Sequence, residues 1–549
     1  MIAKIRKIIE EVIGSDKTLR PPPRRGRQAP FDKALGKQGK KFLVMASEKP
    51  EFGHYSTNAA FMIGEDPNKI AKEILRQAQE IYGNDLFEKV EVNGKFINFW
   101  ISKSALIEEL TAVLKTKPYW LNPKPSKINL EFISANPTGP LTMANGRGGF
   151  LGDVLANVLE NVGMKVTREY YINDAGNQIK LLGESLLLSY RKVPLGEEHY
   201  KGGYIQELAE KLKGKIEKLK DLNAEEAGRI AAEELLKQIQ QSLRNVGIKF
   251  DVWFSEYKNL HKKKELKKVL ELLEKNGLVS EHDGAKWLKS SEIADEKDRV
   301  LVKSDGQPTY FLSDLAYHYD KFIKRKFDKA IDIWGADHHG YVARLKAGVK
   351  AIGVDPEKLK IIITQFVLLV EGGKEVKMSK RTGEFVTLDE LIKEVGKDAA
   401  RFFFLMHSPD THMDFDLALA KERSVKNPVY YVQYAYVRCS SILRKLKVKS
   451  LKFKVSDFEE LKSESELNLL RELIKLPDVI SQTAEDYQVN RLARYAMEFA
   501  KAVHNFYEKE RVINEKGEVS EPRLALVAAT REVLAKLFKI LGIEAPEKM

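Results

Sequence analysis

One stretch of the chain narrows the choice of fold more than any other. From Lys127 it reads KINLEFISA, then NPTGPLTMANGRGG, then Leu151, Val154, Leu155, Val158, Leu159 and Val162 at helical spacing, then KVTREYYIN up to Asn173. The order strand, glycine-rich loop, helix, strand is a crossover unit, which commits a chain to a parallel sheet covered by helices. Ligands of such sheets bind beyond the carboxyl ends of the strands, where helix N-termini offer unpaired N–H donors to anions. Gly146, Gly148 and Gly149 open this helix without side chains. Glycines so placed serve either the close approach of a nucleotide or the close packing of helix on sheet, and spacing alone leaves both open.

The remaining segments build around this unit. KAIDIWGA and LKIIITQFVLLVE read as two more strands with a helix between them, and Glu184 to Gly247 reads as a charged helical insertion. Thr387 and Glu390 have capping-box spacing and predict a helix start. Upstream, Ile2, Ile5, Ile8, Ile9, Val12 and Ile13 share one helical face. KKFLVMAS and KVEVNGKFINFWIS read as strands, the second turning at Asn93-Gly94, with a helix from Asn68 to Tyr82 between them. From about Asn427 onward the patterns are helical. Three domains are therefore expected: residues 1–116, small and α/β; 117–426, with the insertion at about 184–247; and 427–549, all-α.

Charge and cysteine usage limit what such a protein meets. Lys and Arg number 92 against 79 Asp and Glu, a formal charge of +13 that favours polyanionic partners. Cys439 is the only cysteine, so the chain forms no internal disulfide and no thiolate metal cluster. With no apolar run long enough to span a bilayer, a cytoplasmic protein is expected. The proline-rich basic stretch from Arg20 to Lys41 reads as a solvated linker or as a nucleic-acid contact.

A second loop points to chemistry. GGKEVKMSKRTGEF places Lys377, Ser379, Lys380 and Arg381 after an apolar strand, where mobile ammonium groups can neutralise charge developing on phosphate oxygens. KMSK at Lys377 to Lys380, together with the glycine-rich loop, resembles the paired signatures of class I aminoacyl-tRNA synthetases. EFISANPTGPL, YYINDAGNQIKLLGESL, TYFLSDLAYHYDK, WGADHHGYVARLKA and the ending LGIEAPEKM are similar to the arginyl-tRNA synthetase family. KPEFGHYSTNAA is similar to that family's N-terminal domain, so the resemblance spans nearly the whole chain.

The resemblance implies a Rossmann-type catalytic domain, an N-terminal domain that reads the tRNA elbow and a helical anticodon-binding domain. It implies that Thr142, Met143, Ala144 and Asn145 stand where the family has a HIGH-type tetrapeptide, so both imidazoles of that signature are missing. Thr142 and Asn145 keep only neutral donors there, and Ala144 adds a methyl group where the purine would lie. Lys377, Lys380, Thr142 and Asn145 are then the catalytic candidates, Lys377 and Lys380 carrying more of the work. ATP would meet Thr142, Ala144, Asn145, Gly146, Gly335, Asp337, His338, Met378, Ser379 and Lys380, and would bring Mg2+. Arginine is a planar cation that keeps its proton, and by resemblance Glu131, Asn136, Tyr310, Asp314 and Asp337 line its pocket. Glu131 and Asp314 would take the guanidinium, Asn136 and Asp337 the α-amino group.

For tRNA(Arg), the candidates are Tyr55 and Asn58 in the N-terminal domain and Tyr434, Arg438, Arg491 and Arg494 in the helical one. Aromatic rings stack on splayed bases while arginines hold phosphate, although helix packing is an equally physical use for each tyrosine. His338 and His339 suggest a metal, but adjacent histidines do not face one ion and no further ligand stands at a familiar spacing, so no protein-bound metal is expected. A monomer is expected. Two rival readings remain: a tRNA-binding relative that no longer activates its amino acid, and a dinucleotide-dependent oxidoreductase, which Leu151 in place of a third glycine disfavours.

Overall fold

The structure is a computed structural model that describes residues 1–15, 42–47, 50–83, 85–114, 125–219, 222–376, 386–448 and 454–549. The N-terminal part comprises α1 (Ile2–Ser15), β1 (Val44–Ala46), β2 (Tyr55–Thr57), α2 (Ala59–Ile63), α3 (Pro67–Tyr82), β3 (Phe87–Asn93), β4 (Phe96–Ile101) and α4 (Lys103–Leu114). Its four strands form an antiparallel sheet in the order β1-β2-β4-β3. The apolar face of α1 is buried as its spacing predicts: Ile5, Ile8 and Ile9 are fully enclosed. Asp66 caps α3 by accepting from Asn68 N, and Gly94, with φ 59°, turns the β3–β4 hairpin where the Asn-Gly pair predicts it.

The central part contains β5 (Lys127–Glu131), α5 (Met143–Asn161), β6 (Lys165–Ile172), α6 (Asn177–Tyr190), α7 (Gly203–Lys218), α8 (Ala224–Asn245) and β7 (Val252–Ser255). After α9 (Glu265–Lys275) come β8 (Val279–His282), β9 (Ala285–Leu288) and β10 (Arg299–Val302), a small antiparallel sheet that the sequence reading did not anticipate. Then follow α10 (Tyr310–Tyr319), β11 (Lys329–Gly335), α11 (Val342–Ala351) and β12 (Leu359–Thr364). The main sheet is parallel, in the order β12-β11-β5-β6-β7, so the strand order reverses between β5 and β11. A ligand crevice belongs at the carboxyl ends of those two strands.

Two strand expectations need correction. KINLEFISA was expected to be extended throughout, but β5 stops at Glu131, because Ile133 (φ 68°) and Ser134 (φ 39°) both turn left-handed. A β-branched residue at that φ is strained, and the turn is held by its surroundings. The Ser134 hydroxyl donates to Glu131 Oε1 at 3.0 Å and accepts from Tyr171 N at 3.0 Å. LKIIITQFVLLVE is not one strand either. It breaks at Gln365 and Phe366, and β13 (Val367–Glu371) joins β14 (Lys374–Glu375) and β15 (Met413–Asp416) in a separate sheet.

Beyond β14 lie α12 (Leu388–Val395), α13 (Lys397–Leu405), β15 and α14 (Leu417–Lys421), and then the helices α15 (Pro428–Lys445), α16 (Glu464–Asp486), α17 (Asn490–Lys509) and α18 (Glu521–Leu541). The N-terminal part packs on these helices: Ile2 N donates to Asp478 Oδ1 at 3.0 Å, and Lys536 Nζ reaches the carbonyl of Val113 at 3.0 Å. Arg401, 1% exposed, joins three elements. Its guanidinium donates to Val246 O at 3.2 Å and to Leu541 O, and it pairs with Asp153 on α5. Gly542 ends α18 with φ 70°, and a Cβ there would lie 2.4 Å from Arg401 Cζ. Only glycine meets both demands.

Candidate active site

Helix α5 starts at the altered tetrapeptide, and its start is a closed capping box. Thr142 Oγ1 accepts from Asn145 N at 3.3 Å, Thr142 N donates to Asn145 Oδ1 at 2.8 Å, and the Thr142 hydroxyl lies 2.9 Å from the same oxygen. Threonine and asparagine thus satisfy each other and two orphan N–H groups. Thr142 Oγ1 donates its proton inward, which leaves the Asn145 side-chain amide as the neutral donor of the pair. Ala144 is exposed beside it.

The glycines that follow are used mainly for packing. A Cβ at Gly146 would lie 2.8 Å from Leu388, one at Gly149 would lie 2.9 Å from Ile133, and one at Gly152 would lie 2.3 Å from the Phe132 ring. Gly146, expected at the nucleotide, is therefore a contact between α5 and α12, and the dinucleotide reading loses its motif. Between these glycines sits Arg147, 3% exposed. Its guanidinium donates to the carbonyls of Gln365 (2.8 Å), Phe366 (3.2 Å), Ser408 (2.8 Å) and Thr411 (2.7 Å), stitching the break between β12 and β13. Sequence reasoning missed it, although a lone arginine among glycines at a buried helix start was an available signal.

The residues that follow the second loop meet the first. Thr142 and Thr387 form an antiparallel bridge in which Met143 N donates to Val386 O at 2.9 Å and Leu388 N to Leu141 O at 2.8 Å. Lys377, Met378, Ser379, Lys380 and Arg381 lie outside the described residues, but the chain re-emerges from that segment at Val386, against the start of α5. Thr387 caps α12 and exchanges hydrogen bonds with Glu390, as its spacing predicts.

At the carboxyl end of the main sheet, three adjacent strands bring acids side by side. Glu169 on β6, Glu131 on β5 and Asp332 on β11 are register partners in a row. Lys321, fully buried, donates to Glu131 Oε2 at 2.6 Å and to Asp332 Oδ1 at 2.8 Å, and Arg325 pairs with Glu169. His318 Nε2 donates to Asp332 Oδ2 at 3.1 Å. Burial pushes Asp332 up, but Lys321 and His318 outweigh it and the carboxyl falls to about 2. Glu131 is raised, because its burial exceeds what Lys321 returns.

Asp314 faces the same space. Burial raises it to about 6 against the hydrogen bond from Tyr341 and the nearby His318, with Glu256 and Glu131 adding repulsion. Among the described residues its only side-chain hydrogen bond comes from the Tyr341 hydroxyl, and no lysine or arginine among them pairs with it. The Tyr171 hydroxyl is raised by burial and then by Glu256, Asp314 and Glu131, which places Asp314 and Glu131 around one group. Tyr310, 53% exposed, opens α10 with its hydroxyl beside Gly176. Asn136 donates to Gln178 Oε1 at 2.6 Å. Asp337 and His338 are exposed on the turn after Gly335, 3.3 Å apart, at the end of β11. Ser134, His318, Lys321 and Tyr341 were missed by the sequence reading, since only the fold shows what they touch.

The tRNA candidates divide. Tyr55 is 1% exposed and donates to Asp478 Oδ2 at 3.0 Å, so it joins two domains and offers no ring to a base; that expectation is corrected. Asn58 is half-buried with Oδ1 taken by Leu43 N at 2.8 Å. The Arg438 guanidinium lies over the Tyr434 ring at 4.6 Å and the Tyr507 ring at 4.4 Å. Arg491 pairs with Asp486 at 2.6 Å, and Arg494 is exposed.

Comparison with known proteins gives the family. Residues 109–406 match the family described as tRNA synthetases class I (R), catalytic domain. Residues 4–101 match the arginyl tRNA synthetase N terminal domain, and 432–549 the DALR anticodon binding domain. An arginine–tRNA ligase of Carboxydothermus hydrogenoformans is 45% identical over 531 residues, 92% of this chain and 94% of its own. The chain belongs to the arginyl-tRNA synthetase family. An arginine–tRNA ligase of Acetivibrio thermocellus is 42% identical over 92% of this chain and 93% of its own. The arginyl-tRNA synthetase of Thermus thermophilus, 22% identical and covered fully in both directions, superposes with a TM-score of 0.77, which speaks for the fold. Class I membership brings ATP use with it, and no helix among the described residues is long and apolar enough to cross a membrane.

Proposed function

We propose that this arginyl-tRNA synthetase family member is an arginine–tRNA ligase. It activates L-arginine with ATP to arginyl-adenylate and then transfers the arginyl group to the 3′ end of tRNA(Arg). The observation that carries this reading is the bridge between Thr142 and Thr387, which brings the residues just after the lysine-bearing stretch of sequence to the N-terminus of α5.

In the first step the arginine carboxylate attacks the α-phosphate, a P–O bond forms, and the bond to pyrophosphate breaks. A carboxylate is already a nucleophile, so no general base is needed, and positioning and charge neutralisation dominate. Asp314, which pairs with no lysine or arginine among the described residues, holds the guanidinium together with Glu131. Asn136 and Asp337 orient the α-amino group, with Tyr310 at the rim. The α5 N-terminus and the Asn145 amide meet the phosphates, Gly335 and His338 the ribose side, and Lys377 and Lys380 neutralise charge as pyrophosphate leaves. Magnesium bound to the triphosphate supplies further neutralisation, and we assign it no protein ligand.

In the second step the ribose hydroxyl attacks the activated carbonyl and AMP leaves. Arg438, Tyr434, Arg491 and Arg494 are proposed anticodon-side contacts, Asn58 an elbow-side one, and domain borders are placed near 116 and 426. We propose a monomer, and the buried lone Cys439 suits a reducing cytoplasm. Exchange of pyrophosphate into ATP, run with each standard amino acid with and without tRNA(Arg), tests the reading. Exchange with arginine supports it; tight tRNA binding without exchange under either condition overturns it.

A further inference from the structure

We propose that Lys321 is a positioning residue for arginine recognition: its buried ammonium, held between Glu131 and Asp332, fixes the Glu131 carboxylate at the end of β5 for the substrate guanidinium. The proposal rests on the arginine pocket described under the proposed function.

The argument begins with the sheet. Because β6, β5 and β11 run parallel with Glu169, Glu131 and Asp332 in register, three carboxylates stand side by side on one face. Like charges directly opposite one another repel, and burial strengthens the repulsion. Two cations from the turn after α10 relieve the row, Arg325 on Glu169 and Lys321 between Glu131 and Asp332. The Lys321 ammonium is satisfied on three sides. It lies 2.6 Å from Glu131 Oε2, 2.8 Å from Asp332 Oδ1 and 4.2 Å from the Tyr317 ring centroid. It is fully buried, so it is not a ligand for an external anion but a fixed internal counter-ion.

The contact to Glu131 does more than hold strands together. Oε1 of the same carboxylate accepts from Ser134 in the left-handed turn, so both oxygens are anchored, one by Lys321 and one by Ser134. Two anchors set the plane of the carboxylate, and a planar guanidinium reads that plane. Among the described residues the row of three carboxylates has two lysine or arginine partners and Asp314 nearby has none, so the site retains negative charge for an incoming cation. Without Lys321, Glu131 and Asp332 lose the cation between them, and Glu131 keeps a single anchor, Ser134, about which its plane can turn.

The test compares wild-type enzyme, D314N, K321A and the charge-balanced K321M/D332N by arginine-dependent pyrophosphate exchange, with thermal melting as the check on folding. Loss of one charge-assisted anchor should raise KM for arginine about tenfold, with kcat and KM for ATP nearly unchanged. n-Propylammonium, which refills the space left in K321A, should lower that KM again and leave wild type unaffected. If K321A does not fold, K321M/D332N carries the test, since it keeps the net charge and still frees Glu131. An arginine KM within twofold of wild type in a folded variant overturns the proposal, as does a fall in kcat with KM unchanged. If D314N raises KM for arginine while the Lys321 variants do not, the inference fails alone. If wild type shows no arginine-dependent exchange even with tRNA(Arg) present, or D314N leaves KM unaltered, the pocket reading fails and takes the inference with it.

Discussion

Thr142 and Thr387 pair across an antiparallel bridge, and each is the N-cap of the helix that follows it. Replacing Thr387 by valine keeps the shape and removes the hydroxyl that accepts from Glu390 N. The expected cost is about 1 kcal/mol of stability, read by urea unfolding. Arginine-dependent exchange should fall as well, because the same cap sets the register of Val386 against Met143.

Lys377→Ala and Lys380→Ala should each slow adenylate formation about a hundredfold or more, since removing one preorganised charge from a phosphoryl transition state has effects of that size. KM for arginine should stay near wild type. Single-turnover pyrophosphate release measures the step directly, and near-normal rates in both variants would remove these lysines from the mechanism.

Asp314 makes arginine binding dependent on pH. Its carboxyl sits at about 6, against an ordinary value of 3.8, because burial outweighs the Tyr341 hydrogen bond. Arginine needs the ionised form, so KM for arginine should climb as pH falls through 6, by about tenfold per unit, and D314N should flatten that climb. Stability runs the other way. A carboxyl raised in the fold contributes stability that is complete below its unfolded value and lost as pH rises through 6, so D314N should stabilise the ligand-free protein at neutral pH.

Arg147→Met removes the shared donor of four carbonyls at the β12–β13 break. Leaving buried acceptors unpaired should cost about 3 kcal/mol or more, seen as a lowered melting temperature. Arginine affinity of the surviving folded fraction should change little.

Gly152→Ala drives a methyl group to within 2.3 Å of the Phe132 ring. Overpacking of this kind costs about 1–3 kcal/mol. Because Phe132 directly follows Glu131, the variant should also raise KM for arginine, whereas Gly214→Ala, which meets open space inside α7, should leave KM unchanged and stabilise the fold by about 1 kcal/mol.

What was legible in the sequence was local. The capping box at Thr387, the Asn93-Gly94 turn, the apolar face of α1 and the crossover around α5 all depend on neighbours within a few positions, and all are present. What was not legible depends on distant partners. Tyr55 is buried because Asp478 receives its hydroxyl, and LKIIITQFVLLVE breaks where Arg147 gathers the carbonyls. The end of β5 at Glu131 is set by a serine held against Tyr171, which no periodicity reveals. Glu131 and Asp314 were named from family likeness, whereas Asp332 and the cation between it and Glu131 became visible only once three strands lay in register.

Arg401 gives the molecule a limit on how it can be cut or recombined. One guanidinium serves the helix that begins at the tetrapeptide, the end of the insertion and the end of the last helix, with Gly542 hollowed out to admit it. A catalytic fragment severed from the helical domain would keep that charge in its interior with an acceptor removed. The parts of this chain are therefore poor candidates for exchange as modules: a graft between relatives must keep glycine at 542 opposite Arg401, since any side chain there would run into the guanidinium.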